Sequence, residues 1–225
     1  MRPIAHIHSD FSTKVGIPRQ SGVVGSLQAE IFFEPEFRSR DAVRGLEAFS
    51  HIWLIWEFSE NVRADWSPTV RPPRLGGAER VGVFATRSPF RPNPIGLTCV
   101  KLDRVELTDD GPIIHVLGAD LRDGTPIYDI QPYIPFADCH PDATGGWIED
   151  APWQELDVEF PQALQDMVPP TKLPGLVEVL RQDPRRAGSK HEPNRVYHLA
   201  FAELDISFTV DETRLTVVAV NDAQD

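Results

Sequence analysis

The sequence predicts a mainly β protein that ends in a small α+β unit, with no Rossmann-type nucleotide fold. Three observations carry this. Apolar residues alternate with period two in short runs, as half-buried strands require: Leu27, Ala29, Ile31 and Phe33 form one, and Leu204, Ile206, Phe208 and Val210 another. Twenty-one prolines are spread through the 225 residues, which favours many turns and short elements over long helices. No Gly-x-Gly-x-x-Gly follows a strand and opens a helix, and no Gly-Lys-Ser/Thr loop is present, so both phosphate-cradling motifs are missing.

Taken in order, residues 1–11 are short and β-prone through Ile4, Ile7 and Phe11, and predict a first strand. Residues 13–22 form a loop punctuated by Gly16, Pro18 and Gly22, with the stiff polar triplet Pro18-Arg19-Gln20 inside it. Residues 27–33 are the alternating strand. Residues 39–49 predict a short helix capped by Ser39 or Asp41, with Ala42, Val43, Leu46 and Phe49 on its buried side. Residues 51–58 are nearly all apolar and predict a central strand buried on both faces. His51, alone at its start, reads as structural. Residues 63–77 predict a long irregular loop. Residues 97–107 and 113–117 predict a hairpin about the turn Asp109-Asp-Gly-Pro112. In residues 120–138 a turn, Asp123-Gly124-Thr125-Pro126, stands beside Tyr128, Asp129 and Tyr133; a plain hairpin turn and a packed tyrosine have the same appearance. Residues 140–150 read as a linker. Beyond it, 160–168 and 173–183 are helix-like, with Leu176, Val177, Val179 and Leu180 as the buried stripe of the second. Residues 204–210 and 214–220 close the chain as a hairpin. The predicted units are 1–142 and 151–225.

Residues 80–97 are the most constrained stretch. They begin as a strand at Val81, Val83 and Phe84. Pro89, Pro92 and Pro94 then forbid helix and central ladder alike. Ser88, Arg91 and Asn93 each precede a proline and are held extended. The loop is therefore stiff and carries two guanidinium groups, Arg87 and Arg91, and an amide, Asn93. Such a loop suits a small anionic or polar ligand, because little ordering entropy is lost on binding. A solvated proline-rich turn is the competing reading.

Composition sets the outer limits. The balance of 41% hydrophobic and 25% charged residues is ordinary for a soluble globular protein. No long apolar run suggests a membrane span, and the N-terminus has no signal-peptide core. Two cysteines, Cys99 and Cys139, imply free thiols in a reducing cytoplasm. Cys139-His140 has no second pair at zinc spacing, so no metal is expected. No Gly-x-Ser-x-Gly elbow points to a serine hydrolase. The net charge of −12 is uneven. Residues 63–104 hold eight basic residues against three acidic, whereas 105–169 hold one against fourteen. This predicts one basic face on a repelling surface, the footprint of a nucleic-acid partner; pairing of those arginines with the acids that follow is the alternative. Arg185, Arg186 and Lys190 are a second basic group, read equally as phosphate contacts or as a solvated loop.

The run Arg80-Val-Gly-Val-Phe-Ala-Thr-Arg-Ser-Pro-Phe-Arg-Pro-Asn-Pro-Ile-Gly96 resembles the signature of the TsaA-like β-barrel proteins, above all their TrmO branch. That branch comprises S-adenosylmethionine-dependent methyltransferases acting on threonylcarbamoyladenosine in tRNA. The resemblance also covers Pro18-Arg19-Gln20 and residues 41–53, 71–97 and 123–136, and more weakly Asp183-Pro-Arg185 and Val196-Tyr197. It implies an N-terminal TsaA-like β-barrel that binds S-adenosyl-L-methionine in its loops, a small C-terminal domain, a cytoplasmic homodimer, and the tRNA anticodon loop as partner. Cofactor contacts carried over by position are Arg19, Gln20, Ser59, Glu60, Arg87, Leu97, Asp123, Gly124, Thr125 and Pro126. The resemblance implies, as acceptor, the exocyclic nitrogen of the adenosine 3′ of the anticodon. Tyr128 or Asp129 is then the local base or anion-stabilising group. Arg91 would hold the threonyl carboxylate, so Arg91→Ala should cost activity and spare cofactor affinity. A non-catalytic nucleotide- or RNA-binding barrel, or a methyltransferase with another acceptor, are the alternatives.

Overall fold

The computed structural model describes residues 1–61, 65–72, 75, 79–149, 154–185, 192 and 194–223. The basic residues Arg63, Arg74, Arg186 and Lys190 lie outside the described residues.

The first part of the chain contains β1 (Ala5–His8), β2 (Gln28–Phe33), β3 (His51–Glu57), β4 (Thr69–Val70), β5 (Val81–Gly82), β6 (Ile95–Thr108), β7 (Gly111–Leu117) and β8 (Thr125–Pro132). β4 and β5 pair as a separate ribbon. The other six close into an antiparallel barrel in the order β1-β2-β7-β6-β3-β8, with β8 returning to β1. Closure leaves no free edge. Period-two alternation sends one face of each strand inward: Ala5 and Ile7, Ala29 and Ile31, Ile52 and Leu54, Val100, Ile114, Val116 and Ile127 fill the barrel.

Three expectations are corrected. Residues 51–57 are not buried on both faces. Ile52, Leu54 and Trp56 point into the barrel while His51, Trp53, Ile55 and Glu57 are half-buried outside it, because a closed barrel has only one interior. Residues 39–49 do not form a helix but two 3₁₀ turns, Arg40–Val43 and Leu46–Ala48, separated by Gly45 at φ 86°. That left-handed glycine breaks the helical path. Ser39 does cap the first turn, accepting from the Asp41 amide at 3.3 Å, but only Val43 is buried and Phe49 stays exposed. The strand expected through Phe84 ends at Gly82, where a 3₁₀ turn, Val83–Ala85, leaves Phe84 70% exposed.

The second part contains α1 (Pro135–Asp138) at the barrel exit, then β9 (Asp157–Glu159), α2 (Gln162–Gln165), α3 (Leu173–Arg181), β10 (Tyr197–Phe201), β11 (Leu204–Asp211) and β12 (Arg214–Asp222). The sheet order is β10-β11-β12-β9, with β9 parallel to β12. α3 buries Leu176, Val179 and Leu180; Val177 is only half-buried. The helix expected over 160–168 shrinks to one turn between Pro161 and Pro169.

The buried residues of the N-terminal loop 9–27 belong to the second core, not to the barrel. Phe11, Val24 and Leu27 pack with Leu176, Leu199, Phe201 and Phe208 of the second part. Phe11 meets Phe201 edge-on, with ring centroids 5.6 Å apart. Lys172 Nζ lies 2.7 Å from Asp10 Oδ1. Burial pushes the Asp10 carboxyl up, against the pull of that ammonium. The loop carrying Arg19 and Gln20 thus packs against the C-terminal sheet.

Candidate active site

A cavity of about 500 Å³ opens at the end of the barrel where β3 stops and β6 and β8 begin. Four chain segments meet there: 14–20, 56–60, 86–98 and 120–125. The volume lies within the range of cofactor-sized pockets.

The floor is a relay of polar groups between strands. Trp56 Nε1 donates to Thr98 Oγ1 at 3.0 Å, and Thr98 Oγ1 donates to Asp120 Oδ1 at 3.0 Å. Burial pushes the Asp120 carboxyl up; the Thr98 hydrogen bond and the Arg87 charge act the other way without winning. Gly96 makes this floor possible. A β-carbon there would sit 2.2 Å from the Trp56 ring. Gly96→Ala is expected to force Trp56 off its partner and to destabilise the fold by about 1–3 kcal/mol. Gly82→Ala, which meets nothing within 4 Å, is the control in the same denaturation experiment.

The walls carry charge. Arg87 donates to the Gln20 side-chain oxygen, and Gln20 Nε2 donates to the Arg19 carbonyl at 2.6 Å. Glu60 joins Lys14, at 2.9 Å, and Arg122. Gly124, at φ 75°, turns the chain so that its amide reaches the Ile7 carbonyl at 2.8 Å. Asp123 Oδ1 accepts from the Ser9 amide at 3.1 Å.

The structure brings Arg19, Gln20, Ser59, Glu60, Arg87, Arg91, Leu97, Asp123, Gly124 and Thr125 to this cavity, and leaves Pro126, Tyr128 and Asp129 outside its wall. Arg91 pins its own loop: Nη1 donates to the Val83 carbonyl at 3.2 Å and to the Thr86 carbonyl at 2.7 Å. Tyr128 donates to the Glu57 carboxylate. That hydrogen bond, with burial and the Glu57 charge behind it, holds the phenol proton up to about 12. Asp129 accepts from the Ile130 amide at 3.0 Å and from Gln131 Nε2 at 2.7 Å. Among the described residues, no group of three or more His, Cys, Asp or Glu is placed to hold a metal ion. No described helix is long and apolar enough to cross a membrane.

A family model described as the tRNA-methyltransferase O N-terminal domain matches residues 6–139, and one described as the TrmO C-terminal domain matches residues 154–223. The chain belongs to the TrmO family. It is 41% identical over 224 residues to the tRNA (adenine(37)-N6)-methyltransferase of Escherichia coli, covering 96% of this chain and 95% of that protein. It is 38% identical over 213 residues to a putative S-adenosylmethionine-dependent methyltransferase of Pseudomonas aeruginosa, covering 91% and 89%. The crystal structure of TrmO from Pseudomonas aeruginosa superposes with a TM-score of 0.77 at 31% identity, over 98% of this chain and 96% of that one.

In this TrmO chain, sequence reasoning missed the floor. Trp56, Thr98 and Asp120 were not singled out, nor were Lys14, Glu57 and Arg122 in the wall. One signal was available: on the inward face of β6, which runs Gly96, Thr98, Val100, Leu102, Thr98 is the lone polar side chain. A hydroxyl on a core-facing position must find a partner, and its partner is Asp120. The donors of the wall also fit S-adenosylmethionine. Apolar Ile17, Leu97 and Leu121 suit an adenine ring, and Arg87, Gln20 and the acidic groups suit its charged ends.

Proposed function

We propose that this chain transfers a methyl group from S-adenosylmethionine to N6 of adenosine 37 in tRNA, with threonylcarbamoyladenosine as the modified acceptor. The supporting observation is the cavity itself: three of the stretches that carry the TrmO-like motifs, at Pro18–Gln20, Thr86–Leu97 and Asp123–Thr125, are far apart in sequence and line one ligand-sized space. Arg19, Gln20, Ser59, Glu60, Arg87, Leu97, Asp123, Gly124 and Thr125 hold the cofactor in this reading. When bound, the cofactor supplies a methyl group already activated on a sulfonium. The residues of the chain position the acceptor, exclude water and take up a proton. N6 would receive the methyl group of the cofactor, and the N6 proton would pass to a carboxylate oxygen of Asp120. Asp120 suits this role better than Tyr128, which keeps its own proton to about pH 12, or Asp129, which lies outside the wall. Tyr128→Phe is accordingly expected to keep methyl transfer within about threefold, well short of the 10²–10⁴ attributed to a general base. The reading includes a homodimer, to be checked by sedimentation.

The test is methyl transfer from labelled S-adenosylmethionine to tRNA with and without threonylcarbamoyladenosine. Label on the modified tRNA alone, at position 37, is the expected result. Label at another base would mean another acceptor. No label on either, with cofactor binding intact, would leave a binding barrel without turnover.

A further inference from the structure

We infer that the exposed ring pair Trp66–Phe84 is a landing platform for a base of the single-stranded tRNA loop beside the cavity. The inference rests on the tRNA reading of the function and deepens it. The two rings stack with centroids 5.9 Å apart and planes 25° from parallel. Phe84 is 70% exposed and Trp66 47%. The barrel core does not use them, yet both are held in place. Phe84 sits in the 3₁₀ turn whose first residue, Val83, is buried, and the Val83 amide donates to the Pro68 carbonyl at 3.0 Å. The Trp147 indole donates to the Ala85 carbonyl at 3.0 Å. Next to Trp66, Ser67 Oγ donates to the Thr69 carbonyl at 2.6 Å, and its amide reaches the Phe90 carbonyl. Two apolar rings on a rigid frame lose little entropy when a third ring joins the stack.

Place and charge select the occupant. Two and three residues after Phe84, Thr86 and Arg87 line the cavity, so the platform lies within about 10 Å of chain from the cavity wall. The Arg91 guanidinium carbon stands 5.7 Å from the Phe84 centroid. Among the described residues of 65–91, Arg71, Arg80, Arg87 and Arg91 stand against Asp65 and Glu79, in a chain of net charge −12. A polyanion with flat bases fits aromatic rings set among arginines. A second copy of the chain would bring the same arginines to face these.

The experiment measures the affinity of full-length protein for an anticodon stem-loop RNA, without cofactor and at fixed salt. The wild type is compared with Phe84→Ala, Trp66→Ala and Phe84→Tyr. Both alanine variants are expected to bind RNA about 5- to 150-fold more weakly. Phe84→Tyr is expected to restore binding, and all variants should keep wild-type cofactor affinity and melting temperature. Alanine variants that bind RNA as the wild type does overturn the platform and leave the proposed function standing. The same result with an altered sedimentation coefficient assigns the rings to a contact between copies. A wild-type protein that binds no RNA overturns the platform and the function together.

Discussion

Asp120→Asn is expected to lower methyl transfer by at least about 100-fold, the lower end of what general-base catalysis contributes, and to raise the melting temperature at neutral pH. The two effects have one origin. Asparagine keeps the shape of aspartate and still accepts from Thr98 Oγ1, so the Trp56–Thr98–Asp120 relay survives. It cannot take a proton from N6. The stability sign follows from burial, which raises the folded-state pKa of Asp120 above its ordinary 3.8. The folded chain then binds this proton more tightly than the unfolded chain. Its contribution to stability is full below the ordinary value and is lost as pH rises through the folded one. At neutral pH the ionised carboxylate is a burden that asparagine removes, so the gain in melting temperature should be largest there and vanish toward pH 3.8. In the wild type, the acid limb of kcat/KM should lie above the usual aspartate range. Melting curves at several pH values, with single-turnover rates and cofactor affinity by calorimetry, check both halves. Full activity in Asp120→Asn would remove it from proton transfer. A lowered melting temperature would show that the carboxylate is a structural partner.

The barrel strands were legible because their side chains alternate, and alternation survives closure unchanged. Period two was read in two strands, and both lie where it put them, β2 in the barrel and β11 in the C-terminal sheet. The failures have local causes. Residues 39–49 carry a helical apolar spacing, but Gly45 takes a left-handed turn between two short 3₁₀ pieces, and spacing alone does not report that. The apolar run 51–58 suggested two buried faces; the outer face of β3 is instead half covered, in part by Tyr133, whose ring lies 5.9 Å from Trp53. In the site, the stiff loop 86–97 was visible from its prolines, and its arginines do reach the cavity. Asp120 was not visible, because it lies past the end of β7 and meets Thr98, 22 residues away, only when β6 and β7 pair. Tyr128 and Asp129 were chosen for closeness in sequence to the Asp123–Gly124 turn. Of β8 only Thr125 lines the cavity; Tyr128 stands behind the wall, donating to the lining residue Glu57.

Phe11→Ala should reveal what the C-terminal sheet does for the site. Phe11 is buried to 1% and packs edge-on against Phe201. Its removal is expected to destabilise the protein by about 3–5 kcal/mol, as for other large-to-small changes in cores. A purely structural residue would stop there. Phe11, however, opens the loop that presents Ile17, Pro18, Arg19 and Gln20 to the cavity, and its carbonyl accepts from the Asp123 amide at 2.9 Å. One residue earlier, the Asp10 carbonyl accepts from the Ala202 amide at 3.0 Å. A hole at Phe11 therefore loosens two walls together, and cofactor affinity should fall along with stability. Leu215→Ala separates the two effects. Leu215 is fully buried in the same core but pairs with Val158 of β9, at the sheet edge opposite Phe201 and β10. It should cost about 2–5 kcal/mol with cofactor affinity unchanged at temperatures where the variant is folded. If Phe11→Ala and Leu215→Ala weaken cofactor binding alike, or neither does, the sheet is not what holds the Arg19–Gln20 wall. If only Phe11→Ala does, the C-terminal unit serves the active site by anchoring this loop.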